Sequence, residues 1–229
     1  MALYSDDSTH CFGCGFHERG SHNPWTTECI AIKHPDVGAE ENPVIRSPDD
    51  SCTTFGETAT QYLSSCKVGV LEAIRRGLRY SPSREQLLYP YYNEEGILKC
   101  LQARNFNKSR SEKAKYHNQG SPAEVLPIYR STDGLHKTLV ITEDALSAIR
   151  IARQCDAMPA LGTYVPVKKL TALMGAYEFI IVWLDRDKLR EARHIADNCT
   201  WLGLSARTIY TELDPKAYED EEITQYLKL

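Results

Sequence analysis

The 229-residue chain predicts an α/β fold, a parallel sheet flanked by helices and preceded by a small basic α+β subdomain. Three observations carry that prediction. From Thr138 onward strand-type and helix-type segments alternate, the pattern of parallel strands joined by helical crossovers. Two apolar strand-type runs, 138–142 and 179–184, each end in carboxylate: Glu143 after the first, Asp185 and Asp187 after the second. Charge is also segregated under a net −4. Arg75, Arg76, Arg79, Arg84, Lys99, Arg104, Lys108, Arg110, Lys113 and Lys115 crowd the middle of the chain, and the tail from Glu212 is acidic.

Composition narrows the class. A hydrophobic fraction of 42% and a charged fraction of 25% are those of an ordinary soluble globular protein. The apolar runs are far too short for a membrane span. The start, Met1 to Asp7, has neither the basic residues nor the apolar stretch of a signal peptide, so a cytosolic protein is expected. Of the eight cysteines, Cys52, Cys66, Cys100, Cys155 and Cys199 stand singly in apolar or helical surroundings. They read as buried reduced thiols rather than as a disulfide framework. Only Cys11 and Cys14 form a close pair.

The elements follow in order. Residues 1–30 hold turn formers, the Cys11/Cys14 pair and His10, His17 and His22, the makings of a small metal-dependent knuckle. Residues 31–56, with Pro35, Pro43 and Pro48 and little periodicity, read as a linker. Over 57–78, Ala59, Leu63, Val70, Ile74 and Leu78 fall on one helical face. Residues 85–92 and 97–103 flank Asn93-Glu94-Glu95-Gly96 as a hairpin, and the polar, basic stretch 105–122 carries no core signal and reads as a loop. Domain boundaries therefore fall at 1–30, 31–56, 57–136 and 137–229. In the last, strands are predicted at 138–142, 159–162, 179–184 and 207–211. Helices are predicted at 144–154, 167–174, 188–202 and 219–227.

In an open parallel sheet the strands deliver their following residues to one carboxyl edge, where ligands bind. Glu143, Asp185 and Asp187 are thereby expected to face one another despite their separation in sequence. Three converging carboxylates repel unless a cation sits among them, and oxygen ligands without imidazole or thiolate favour Mg²⁺ or Mn²⁺. A basic region beside such a site suits a polyanionic substrate. A plainer reading stays open: Asp185 and Asp187 as helix N-cap and first-turn acid, Glu143 as another first-turn acid, and the cations as a solvated surface.

A lone Glu after the first strand and Asp-x-Asp after a later one, in β-α order, resembles a TOPRIM domain, the metal-binding module of topoisomerases, bacterial and phage primases and some nucleases. Leu161-Gly162-Thr163 resembles the family's small-residue turn after its second strand. Asp214-Pro215-Lys216 followed by Asp220-Glu221-Glu222 resembles the third acidic motif of primases. Residues 89–104 resemble the basic hairpin that precedes TOPRIM in phage primases. Residues 4–15, with Cys11-Phe12-Gly13-Cys14, are similar to the second half of a phage primase zinc ribbon. The order of these parts resembles the primase half of phage primase–helicases over nearly the whole chain.

The resemblance implies a nucleotidyltransferase that makes short RNA primers from ribonucleoside triphosphates on single-stranded DNA in phage replication, in the cytoplasm of a bacterial host. Asp185 and Asp187 would hold Mg²⁺ or Mn²⁺, with Asp214 a candidate for a second ion. Glu143 is either a further ligand or a general base. Lys99 and Arg104 would offset triphosphate charge as catalytic cations, while Arg84, Lys108, Arg110, Lys113 and Lys115 track nucleic acid. No Gly-x-x-x-x-Gly-Lys-Ser/Thr loop occurs, so a helicase motor is expected on a separate chain.

Two features depart from the family pattern. Zinc there takes two Cys-x-x-Cys pairs, and structural zinc needs four ligands. Here either the first pair lies upstream of this start, or His10, His17, His22 or Cys29 joins Cys11 and Cys14, or the knuckle is metal-free. Asp144 stands where the family has Gly, either in the metal site or toward solvent. A TOPRIM nuclease, a non-catalytic DNA-binding recombination or replication accessory protein, and a degenerate primase kept as an interaction subunit are the alternatives.

Overall fold

The computed structural model describes residues 45–107, 115–132, 137–162 and 164–228, together with the backbone of short strands at 2–3, 9–10 and 17–18. The chain divides into two compact units, Met1–Asn42 and Pro43–Leu229. In the first, β1 (Ala2–Leu3), β2 (Thr9–His10) and β3 (His17–Glu18) form an antiparallel sheet in that order, with His10 opposite His17. Cys11, Cys14, His22 and Cys29 lie outside the described residues, as do Lys108, Arg110 and Lys113 of the basic region.

The second unit opens with two helices where the sequence predicts one. α1 (Glu57–Ser65) and α2 (Val70–Arg75) are separated by Lys67, which takes a left-handed φ of 56°, and by Gly69 at the next N-cap. Val68 N–H turns back to donate to Leu63 O at 3.0 Å, so the chain reverses while Leu63, Val68 and Leu78 still share a core. An antiparallel sheet follows: β4 (Arg79–Ser81), β5 (Gln86–Tyr92), β6 (Leu98–Asn105) and β7 (Tyr116–Gly120). The hairpin is where the sequence placed it. β7 lies within the stretch read as a loop, because an exposed edge strand built from Tyr-His-Asn-Gln-Gly carries no apolar alternation. Lys99 falls at a bulge between β5 and β6. Gly120, at φ 77°, sits so close to Ile45 and the Lys99 carbonyl that a Cβ would collide with both.

The parallel sheet has strands β8 (Thr138–Thr142), β9 (Asp156–Pro159), β10 (Phe179–Trp183) and β11 (Ser205–Thr208) in the order β11-β10-β8-β9. Helices α3 (Ala145–Ile151), α4 (Val167–Leu173), α5 (Leu189–Trp201) and α6 (Asp220–Leu227) cover it. β9 and β11 begin a few residues earlier than expected, since Asp156 and Ser205 enter the ladders beside Leu139 and Phe179. Leu139, Ile141, Ile180 and Val182 face α4 and α5; Val140, Ile181 and Trp183 face α3 and α6. The sheet is thus apolar on both faces, as a parallel sheet between helices must be.

Every residue of α3 is buried. Its Ala148 and Ile151 pack on the parallel sheet, while Ala145, Leu146 and Ile149 pack with Leu87, Tyr89 and Cys100 of the antiparallel sheet and with Leu63. Arg150, 1% exposed, donates to Tyr218 O at 2.7 Å and pairs with Asp220 at 2.6 Å. Arg153 pairs with Asp220 at 3.0 Å and donates to Glu72 at 2.9 Å. Asp220 therefore binds α6 to the C-terminal end of α3. Among the described residues no helix is long and apolar enough to cross a membrane.

Candidate active site at the carboxyl edge of the parallel sheet

β8 and β10 are neighbours, in register from Thr138↔Phe179 to Thr142↔Trp183. The chain leaves β8 for β9 on one side and leaves β10 for β11 on the other. α3 and α5 consequently lie on opposite faces, and the ends of β8 and β10 form the switch point where open α/β sheets bind ligands. Glu143 follows β8 directly and Asp185 follows β10 by two residues.

Burial and then the charge of Asp185 push the Glu143 carboxyl up to about 7. Burial is also the largest cause lifting Asp185 to about 6; Lys216 opposes the rise and Asp214, Asp144 and Asp187 add to it. Glu143 Oε2 and Asp185 Oδ1 are both buried without a hydrogen-bond partner. Asp185 stands at the N-cap of a 3₁₀ turn at Arg186–Lys188, yet its side chain makes no capping bond. The plain capping role thus does not account for its carboxylate. Asp187, by contrast, is exposed and accepts from Lys188 Nζ at 2.5 Å, a contact that holds its carboxyl below the usual range. Lys188 also counters the charge of Glu143.

Asp144 has a structural task. Its Oδ1 accepts from Leu146 N at 2.8 Å and Ser147 N at 3.1 Å, capping α3, and its Oδ2 accepts from Ser147 Oγ at 3.0 Å. Lys216 Nζ then donates to Asp144 at 2.6 Å and to Asp214 at 2.9 Å. Burial pulls the Lys216 ammonium down, but Asp144 and Asp214 together outweigh it and hold the pKa above the usual lysine value. The sequence pattern singled out Asp214 and missed this clamp. Its signal was present, since an Asp just before an apolar helical run marks an N-cap.

Arg104 reaches from β6 into an aromatic cage. Its guanidinium carbon lies 3.8 Å from the Tyr62 ring centroid, 5.3 Å from that of Tyr116 and 5.7 Å from that of Phe106. Nη1 donates to the Tyr116 hydroxyl at 3.1 Å, the Tyr62 and Tyr116 hydroxyls are 3.2 Å apart, and Nε is buried without a partner. No carboxylate pairs with Arg104 among the described residues. Tyr62, Tyr116 and Phe106 pack against the same core cluster as Ala145 and Leu146 at the start of α3, the helix that follows Glu143. Lys99, half-buried at its bulge, Arg84, exposed in the turn before β5, and Lys115, exposed beside Tyr116, make no ion pair among the described residues.

No group of three His, Cys, Asp or Glu side chains is arranged to hold a metal ion among the described residues. What the geometry offers a divalent cation is a pair, Glu143 and Asp185, each with an orphaned buried oxygen. Two carboxylates suffice for Mg²⁺, which keeps several waters and takes substrate phosphate oxygens as further ligands. Hard oxygen donors lacking sulfur or imidazole fit that ion.

No protein-family model and no curated protein matches the sequence. Solved structures match the fold. The primase fragment of the bacteriophage T7 primase-helicase protein is 14% identical, with 99% of this chain and 91% of that chain covered and a TM-score of 0.56. A DnaG primase catalytic domain bound to single-stranded DNA is 15% identical over 75% and 71%, TM-score 0.60. The Aquifex aeolicus primase, comprising zinc-binding and RNA polymerase domains, is 13% identical, TM-score 0.54; 76% of this chain is covered, and it spans about half, 49%, of that structure. The chain shares its mixed α/β fold and parallel sheet with primase catalytic cores.

Proposed function

We propose that the chain is a TOPRIM-type DNA primase that joins ribonucleotides on single-stranded DNA, in the manner of the primase half of a phage primase–helicase. The observation that carries the reading is the pair Glu143 and Asp185, each with one buried unpartnered oxygen and with Asp185 raising the Glu143 carboxyl, at the switch point of a fold shared with primase cores. Asp187 completes the acidic edge once Lys188 is drawn away by substrate charge. Bound there, Mg²⁺ or Mn²⁺ supplies polarisation of phosphoryl oxygens and acidification of the attacking 3′-hydroxyl.

The chain's own groups do the remaining work. Glu143, half-buried with one oxygen unpartnered, serves either as a further metal ligand or as the base that takes the hydroxyl proton. Arg104, oriented by Tyr62 and Tyr116 and lacking an acidic partner, is available to the negative charge that develops on the triphosphate. Lys99 is the second candidate cation. Lys216, fixed between Asp144 and Asp214, limits repulsion at the acidic edge, and in this reading Asp214 serves as a lysine partner before it serves a second ion. Arg84, Lys108, Arg110, Lys113 and Lys115 track the template. Zinc held by Cys11 and Cys14 with His10, His17 or Cys29, action in phage replication and a helicase on a separate chain belong to the same proposal.

The test is primer synthesis on single-stranded DNA with labelled ribonucleotides and Mg²⁺ or Mn²⁺, comparing wild type with Glu143→Gln and Asp185→Asn. Short template-dependent RNA from wild type alone is the expected result. Absence of RNA on every template and metal would overturn the reading, and metal-dependent shortening of the template would identify a nuclease instead.

A further inference from the structure

Away from the carboxylate edge one lysine has a buried stem and an ammonium with no counter-charge among the described residues. Lys169 on α4 is 5% exposed, and its ammonium makes no hydrogen bond or ion pair among the described residues. Burial brings its pKa down to about 8. A partly desolvated ammonium without a counter-charge gains when an anion is brought to it. Lys169 lines an open cavity of about 570 Å³ between the turn after β5, residues 123–130 and α4. Arg130 on the wall is already engaged by Asp156 and Tyr177, so the free positive charge is that of Lys169, with Lys168 at the rim.

We propose that this cavity binds a nucleoside monophosphate, its phosphate against Lys169. The volume is that of a small-molecule site. Glu94, Glu95 and Glu124 line the same cavity, yet none comes within ion-pairing distance of Lys169. Their acceptor-only oxygens suit donors such as ribose hydroxyls and exocyclic amines. Three carboxylates repel each added phosphate, which favours a ligand carrying one. Val125 and Leu126 give an apolar wall, and the Tyr92 ring, 55% exposed, stands at the same cavity as a platform for a base. The site shares no residue with the Glu143–Asp185 edge and does not depend on the primase reading.

The experiment is calorimetric titration of AMP, adenosine and ADP into the full chain in EDTA. AMP is expected to bind about tenfold or more tightly than adenosine, the increment of a hydrogen bond to a charged group, and more tightly than ADP. Lys169→Met should reduce AMP to the level of adenosine, and Tyr92→Ala should weaken it several-fold. Glu143→Gln with Asp185→Asn should leave it unchanged. Absent AMP binding, equal binding of AMP and adenosine, or indifference to Lys169→Met would each overturn the proposal. So would loss of binding in the carboxylate variant, which would move AMP to the other site. Should Lys169→Met not fold, Tyr92→Ala, on an exposed ring, decides.

Discussion

Replacing Glu143 by Gln removes a half-buried carboxylate that Asp185 repels and leaves the shape of the side chain nearly intact. The folded chain raises this carboxyl from 4.5 to about 7, by burial first and by Asp185 second. A folded-state pKa above the unfolded one means the native state binds more protons between those values. Stability is therefore fully present below about 4.5, falls as pH rises to about 7, and stays lower above it. At 1.36 kcal/mol per unit the shift corresponds to roughly 3 kcal/mol. Partial solvent exposure screens it, and about 1–2 kcal/mol is the expected penalty on the ionised, metal-free protein. Glu143→Gln should accordingly melt higher than wild type by about 3–6 °C near pH 8 in EDTA. The gain should fade as the pH approaches 4.5, and Mg²⁺ should stabilise wild type more than the variant. Scanning calorimetry across a pH series reads all of this. A variant that melts at or below wild type near pH 8 without metal would show that burial and repulsion do not govern this edge.

Other perturbations probe the supports of the site. Lys216→Met removes the cation between Asp144 and Asp214, which are partly exposed; a loss of about 1–2 kcal/mol is expected in denaturant titration, and Asp144→Asn/Lys216→Met should recover part of it. Tyr62→Leu strips the ring nearest the Arg104 guanidinium. Worth about 1–2 kcal/mol where desolvated, that contact should appear as a roughly tenfold fall in primer synthesis with a small change in melting, and Tyr62→Phe should retain most activity. Gly120→Ala places a methyl against Ile45 and the Lys99 carbonyl at positive φ; a clear drop in melting temperature is expected, while an unchanged one would mean that β7 shifts freely.

How far the sequence speaks depends on how each residue earns its position. β8 and β10 were legible because burial on both faces writes itself as unbroken apolar runs, and the acids that follow were legible because strand ends in a parallel sheet share an edge. β4 and β7 were not, since three residues, or five polar ones at an exposed edge, leave no period. The break between α1 and α2 rests on a lysine in the left-handed region, a conformation that composition does not announce. Lys216 between Asp144 and Asp214 joins residues distant in sequence, so neither local pattern showed that the two acids were already spoken for. Arg104 was found by its charge, but the tyrosines that aim it come from α1 and β7.

α3 has a further meaning for motion. Because it is packed on both sheets at once, neither can shed it without exposing apolar surface, so the two sheets should unfold in one cooperative step rather than as separate modules. Asp144 caps its N-terminus next to Glu143, and Arg150 near its other end is anchored to Asp220 and Tyr218. Under the proposed function, a tilt of the antiparallel sheet on gripping a nucleic-acid strand would be delivered through this one helix to the carboxylates.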